Sequence, residues 1–201
     1  MNFQEILSGW SVCQGWCSQQ KASTLALLVF AARPKLSVEI GVFGGKGIIP
    51  VAIAHRQLGT GKAIGIDPWR AVESVAGQND ADSKWWSDQS MHDKIFEGFM
   101  SARSQFGLNS CLDVYRCPSN DFDPEDGIGI LIIDGNHGPQ AVTDVERFAP
   151  HVSHGGFVVM DDLDWSGGAV REAEKRLLAI GFKQVFSVLE SGGSWGVYQR
   201  L

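Results

Sequence analysis

Short apolar runs and longer stretches of helical spacing take turns along this chain. Residues 36–40, 63–66, 112–115, 128–133 and 157–160 are apolar runs of strand length. The run at 128–133 is apolar enough for burial on both faces. Between these runs, 44–58 predicts a turn and then a helix, closed by the loop Gly59-Thr60-Gly61. Residues 91–106 predict a helix with Ile95, Phe99 and Phe106 on its apolar side. Ala141, Val142, Val145, Phe148, Ala149 and Val152 recur at helical spacing, and 169–180 predicts a helix stopped by Gly181. Residues 22–32 predict a helix ended by Pro34. Upstream of it, polar sequence carrying Trp10 and Trp16 predicts a helical or irregular cap, so 1–33 form an N-terminal cap. Runs at 183–189 and 195–199 predict a final hairpin through 190–194.

Strands alternating with helices predict an α/β fold, a mostly parallel sheet covered on both faces. The hairpin adds one antiparallel strand near an edge. Ligands of such sheets bind beyond the carboxyl ends of the strands, which directs attention to the last residue of each strand and the loop after it. Residues 70–90, polar and carrying Trp85-Trp86, predict an insertion with the character of a loop or lid.

Composition narrows the picture. The 201 residues are 44% hydrophobic and 20% charged, which suits one folded domain over 1–201. The net charge of −6, without a run of Lys or Arg, argues against nucleic acid as a partner. Cys13 and Cys17, and Cys111 and Cys117, lack zinc-site spacing and read as reduced thiols of an intracellular protein. The start Met-Asn-Phe-Gln-Glu lacks the basic and apolar parts of a signal peptide, and the apolar stretch 25–32 is too short to span a bilayer. A cytoplasmic chain without membrane attachment is expected.

Candidate chemistry gathers at the strand ends. The first strand runs into Glu39-Ile40-Gly41-Val42-Phe43-Gly44-Gly45-Lys46-Gly47. Glycines here allow a tight turn and close approach of a ligand to the main chain, and the helix behind them offers free N–H groups. By itself the turn reads equally as a structural one. The second strand ends Ile66-Asp67-Pro68-Trp69, and its carboxylate can accept ribose hydroxyls or simply serve the turn. The dinucleotide spacing G-x-G-x-x-G is absent; Glu39, Gly41 and Gly45 form E-x-G-x-x-x-G. A carboxylate in this place repels a pyrophosphate and attracts the ammonium group of S-adenosylmethionine. An NAD-dependent oxidoreductase is the alternative.

The fourth strand ends Asp134-Gly135-Asn136-His137, and the fifth ends Asp161-Asp162. Three carboxylates converging in a poorly solvated cleft need a compensating cation. Hard oxygen ligands suit Mg²⁺, Mn²⁺ or Ca²⁺; the other reading is that these residues cap helices and face water. His137 can take a substrate proton as neutral imidazole. His55, His92, His151 and His154 have no such company.

The segments V-E-I-G-V-F-G-G-K-G, I-G-I-D-P-W, L-I-I-D-G-N-H and G-G-F-V-V-M-D-D, in this order, resemble class I S-adenosylmethionine-dependent methyltransferases. They are similar in particular to the subgroup of macrocin- and mycinamicin-type metal-dependent O-methyltransferases. The resemblance covers roughly residues 20–165 and implies a Rossmann-like three-layer sandwich whose seventh strand is antiparallel. It implies cofactor contacts around Glu39, Gly41, Gly45, Asp67, Pro68, Trp69, Ser119 and Asp134. It implies Mg²⁺ (or Mn²⁺) on Asp134, Asp161 and Asp162, His137 as base, and Trp85-Trp86 as a substrate lid. Gly47 stands where the turn usually carries Ser or Thr, and Asn136 where some relatives carry an acid. The expected acceptor is a small molecule, a sugar or polyol. A catalytically inactive cofactor-binding relative and a homo-oligomer stay open.

Overall fold

The computed structural model describes residues 1–75, 84–166, 168–191 and 193–201. Two helices lead, α1 (Phe3–Val12) and α2 (Gln19–Ala32). Then come β1 (Leu36–Ile40), α3 (Ile48–Leu58), β2 (Lys62–Ile66), α4 (Ala71–Ser74), α5 (Gln89–Gln105) and β3 (Leu112–Tyr115). The chain closes with β4 (Ile128–Ile133), α6 (Pro139–Phe148), β5 (Val152–Met160), α7 (Val170–Ala179), β6 (Phe182–Glu190) and β7 (Gly193–Arg200). The strands form one sheet in the order β3-β2-β1-β4-β5-β7-β6. β7 is antiparallel to both neighbours, β5 and β6, and the other pairs are parallel. The reversed strand therefore lies one place in from the edge, because the final hairpin folds back between β5 and β6. Among the described residues, no helix is long and apolar enough to cross a membrane.

Strand alternation divides the core. Val38, Ile40, Leu131, Ile133, Val158 and Met160 face one layer with Phe148 and Leu177 of α6 and α7. Ile130, Ile132, Val159 and Val197 face the other, with Leu25 and Val29 of α2 and Ile49 and Ile53 of α3. This is the period-two signature of a sheet buried on both faces. Each fully buried Ile or Leu contributes about 1.5–3 kcal/mol. Glu39, between Val38 and Ile40, points into the layer of α2 and α3 and is buried there.

Two expected boundaries differ. The helical spacing read through Val152 stops at Phe148, followed by a 3₁₀ turn over Ala149–His151. Pro150 has no N–H to continue the helix. β5 begins at Val152 rather than 157, because Val152 pairs with Ile128 across a bulge that skips to Ile130–Phe157. The apolar run marked only its fully buried end.

Register sets the stage for chemistry. Ile40 stands level with Ile66 and Ile133, and Ile133 with Met160. The next residues, Gly41, Asp67, Asp134 and Asp161, leave the sheet at one rim.

Candidate active site

The turn after β1 passes tightly over this rim. Gly41 has φ +85°, and a Cβ there would collide with the Asp134 carbonyl. A Cβ on Gly47 would collide with Glu39 Oε1. These two positions need glycine for space, and Gly41 also for its left-handed backbone. The open turn lets the first N–H of α3, that of Ile48, donate to the Glu39 carboxylate. Glu39 Oε2 has no partner. Burial pushes the Glu39 carboxyl up to about 8, although the Lys21 ammonium works against the shift.

Asp67 ends β2 behind the same turn. Its Oδ2 accepts from Phe43 N (2.9 Å) and its Oδ1 from Trp69 N (2.7 Å). Phe43 and Trp69 have φ +49° and +44°, strained values for bulky aromatic residues. The carboxylate thus clamps two left-handed aromatics, and Trp69 Nε1 adds a bond to Phe43 O at 2.7 Å. Burial raises the Asp67 pKa, opposed by these N–H donors.

The three acids of β4 and β5 do converge, offering oxygens within 4.8 Å of one another. Asp162 turns toward the others through its own left-handed backbone, φ +52°. The compensating cation that such a cluster requires is in the chain. Lys21 of α2, only 2% exposed, places Nζ 2.6 Å from Asp134 Oδ2 and 2.5 Å from Asp161 Oδ2. Burial opposes its charge, but the two carboxylates outweigh that and hold the ammonium well above its usual range. Asp134 is raised by burial and by repulsion from Asp161, with Lys21 offsetting part of it.

Asp162 Oδ2 lies 2.7 Å from His137 Nε2. When Nε2 donates this bond, Nδ1 carries the lone pair, and Nδ1 has no partner. Trp165 packs against the imidazole with centroids 4.1 Å apart and the ring planes tilted by 31°. Asn136 Oδ1 accepts from Gly138 N at 2.7 Å, which shapes the loop holding His137.

A cavity of about 660 Å³ opens at this rim. Of the expected residues, Glu39, Gly41, Asp134, His137, Asp161 and Asp162 line it. Gly45, Asp67, Pro68, Trp69 and Ser119 lie outside its wall. Gly45 packs against Phe99, and Trp69 is buried between Phe96 and Phe99. Ser119 Oγ donates to Asp144 of α6 at 2.6 Å. The insertion expected over 70–90 is described at 70–75 and 84–90; residues 76–83 lie outside the described part. Trp85 and Trp86 line the cavity beside Phe43 and Trp16, with Trp16 centroids 5.9 Å from each.

Sequence reading missed Lys21, Trp16 and Glu190. Glu190 Oε1 accepts from Ser18 Oγ (2.8 Å) and Trp195 Nε1 (2.5 Å), tying the N-cap of α2 to the final hairpin. A signal for Lys21 was present: it sits at i, i+4, i+8 with Leu25 and Val29 on the buried stripe of α2. A lysine on an apolar stripe must have a buried partner.

A glycine turn after β1, acids at the ends of β4 and β5 and a reversed β7 together define the class I methyltransferase architecture. The chain belongs to the family described as methyltransferase domain, whose profile matches residues 38–163, more than half of its length, and it is an enzyme of the S-adenosylmethionine-dependent class. Solved structures share the fold. The O-methyltransferase TomG of Streptomyces achromogenes, from tomaymycin synthesis and in complex with SAM, has TM-score 0.64 at 14% identity, covering 91% of this chain and 80% of its own. An O-methyltransferase of Bacillus cereus in complex with SAH gives 0.63 at 14%, covering 98% and 90%. SAH-bound PaMTH1 of Podospora anserina gives 0.64 at 10%, covering 98% and 87%. No curated protein matches the chain.

Proposed function

We propose that this chain methylates a hydroxyl oxygen of a small molecule, a sugar or polyol, using S-adenosylmethionine. One observation carries the reading. Among the described residues, two buried side-chain polar atoms lack a partner, Glu39 Oε2 and His137 Nδ1, and both residues line the same cavity. An unpaired buried oxygen on an acid matches the cofactor's ammonium group. An unpaired imidazole nitrogen matches the proton of an acceptor hydroxyl.

Bound along the Gly41–Gly47 turn, S-adenosylmethionine supplies an electrophilic methyl group on a sulfonium. The chain does the rest. Glu39 orients the amino end, the glycine turn admits the main-chain approach, and Asp162 fixes the His137 ring. His137 Nδ1 takes the hydroxyl proton as the acceptor oxygen loses it. Alignment of the acceptor oxygen with the methyl group supplies most of the rate. Ribose hydroxyls would be met by Asp67 only if it turned from its bonds to Phe43 N and Trp69 N, which now hold it behind the turn. The likeness to macrocin- and mycinamicin-type enzymes rests on the D-G-x-H segment and the acid pair. Once ionised, Glu39 disfavours the pyrophosphate of a dinucleotide in this turn.

The expected Mg²⁺ or Mn²⁺ would be held by Asp134, Asp161 and Asp162, a suitable set of hard donors. Lys21 already sits on two of them, so the residues as arranged do not fit the ion, and no step is drawn through it.

Calorimetric titration with S-adenosylmethionine tests the cofactor, and transfer of a labelled methyl group to a panel of monosaccharides and polyols tests the acceptor. Absence of binding at millimolar cofactor overturns the proposal. Binding without transfer to any hydroxyl acceptor favours the inactive relative.

A further inference from the structure

We infer that the Lys21 ammonium is the resident cation of the Asp134–Asp161–Asp162 cluster and keeps divalent metal ions out of it. Three converging carboxylates ordinarily gather a hard cation. Here the chain supplies one from its own cap helix.

The ammonium and a divalent ion would compete for the same carboxylates. Nζ bonds Asp134 Oδ2 and Asp161 Oδ2 at 2.6 and 2.5 Å. A divalent ion about 2.1 Å from either oxygen would stand no more than about 4.7 Å from the ammonium. Two like charges at that distance in a poorly solvated pocket repel strongly. The third acid is also engaged, by His137 Nε2 at 2.7 Å.

Lys21 cannot step aside cheaply. It is 2% exposed and stands on the buried stripe of α2 above Leu25 and Val29. Its helix is pinned next to it: Ser18 Oγ accepts from Lys21 N at 2.9 Å and donates to Glu190. Moving the ammonium off the acids would break two buried ion pairs, or would pull α2 from the sheet. Lys21 is therefore a positioning residue. It joins the cap to β4 and β5 and sets the charge beneath the cavity. That this charge then serves methyl transfer rests on the transferase reading above; exclusion of metal ions does not.

The test is titration of the metal-stripped full chain with Mn²⁺, followed by the electron paramagnetic resonance of the free ion. Wild-type protein is expected to leave submillimolar Mn²⁺ free. Lys21→Met and Lys21→Gln are expected to gain one site, at least about tenfold tighter than any in wild type. Lys21→Arg, which keeps the cation, is expected to behave as wild type. Stoichiometric Mn²⁺ binding by wild type overturns the inference, and so does a folded Lys21→Met or Lys21→Gln protein that gains no site. If neither variant folds, the wild-type titration decides. Calorimetry with S-adenosylmethionine on the same wild-type sample separates the two readings. A chain that binds no cofactor yet gains a Mn²⁺ site when Lys21 is replaced sinks only the transferase reading.

Discussion

Glu39→Gln sets stability against cofactor binding at one atom. The buried carboxyl is pushed from an ordinary 4.5 up to about 8. An acid whose folded pKa is raised leaves stability intact at low pH. Stability is lost as pH rises, starting from the unfolded value and continuing through the folded one, because the native state then binds a proton that the unfolded state has released. At about 1.36 kcal/mol per unit, the full cost above pH 8 is of the order of 5 kcal/mol. Glutamine removes that cost and can still accept from Ile48 N–H. Its NH₂ group takes the place of the unpartnered Oε2, and an unsatisfied donor costs about 1–3 kcal/mol. The net expectation without cofactor is a gain of about 2–4 kcal/mol at pH 8.5. At 2–4 °C per kcal/mol, that is a rise of roughly 4–16 °C in melting temperature. At pH 5 the gain disappears or reverses. The assay is thermal unfolding followed by circular dichroism at both pH values. A variant destabilised equally at pH 5 and 8.5 refutes the reasoning, because Glu39 would then be a stabilising structural acid. At pH 8.5, where the carboxyl is ionised, the same variant is expected to bind S-adenosylmethionine about tenfold or more weakly, having lost the charge that faces the ammonium.

Four other outcomes follow from the site. Lys21→Met leaves two facing carboxylates without their cation and should cost about 3 kcal/mol or more, seen as a melting temperature lower by roughly 6–12 °C at pH 8; a change under about 1 °C contradicts the buried ion pair. His137→Ala should lower kcat by about 10²–10⁴-fold while cofactor affinity measured by calorimetry stays unchanged. Asp162→Asn, which removes the carboxylate orienting the ring, should lower kcat in the same direction. Gly47→Ala places a methyl group on Glu39 Oε1 and should weaken cofactor binding even where the fold, checked by circular dichroism, survives.

Much of this architecture was legible along the chain because it depends on local pattern. Apolar runs and helical spacing follow from side-chain alternation, so the strands, the α/β class and the antiparallel final hairpin could be read before any contact was known. The glycine turn and the acids at the strand ends were readable for the same reason: parallel strands must open their loops at one rim. Convergence of Asp134, Asp161 and Asp162 was an expectation of topology, and the level register of β1, β4 and β5 made it fact.

What the linear order did not reveal was which charge answers which. The need for a cation among three acids was a matter of electrostatics and could be stated from sequence. Its identity depended on how a helix some hundred residues upstream packs across the sheet, bringing Lys21 onto Asp134 and Asp161. The same packing set Trp16 beside Trp85 and Trp86, and Ser18 onto Glu190, 172 positions away. The turns after β1 and β2 left Asp67 as a clamp on Phe43 and Trp69, outside the cavity wall. Secondary structure and the strand-end motifs were thus determined by the sequence alone, because both are short-range. The pairing of buried charges was decided only in three dimensions, where burial makes each charge depend on whatever neighbour the fold delivers.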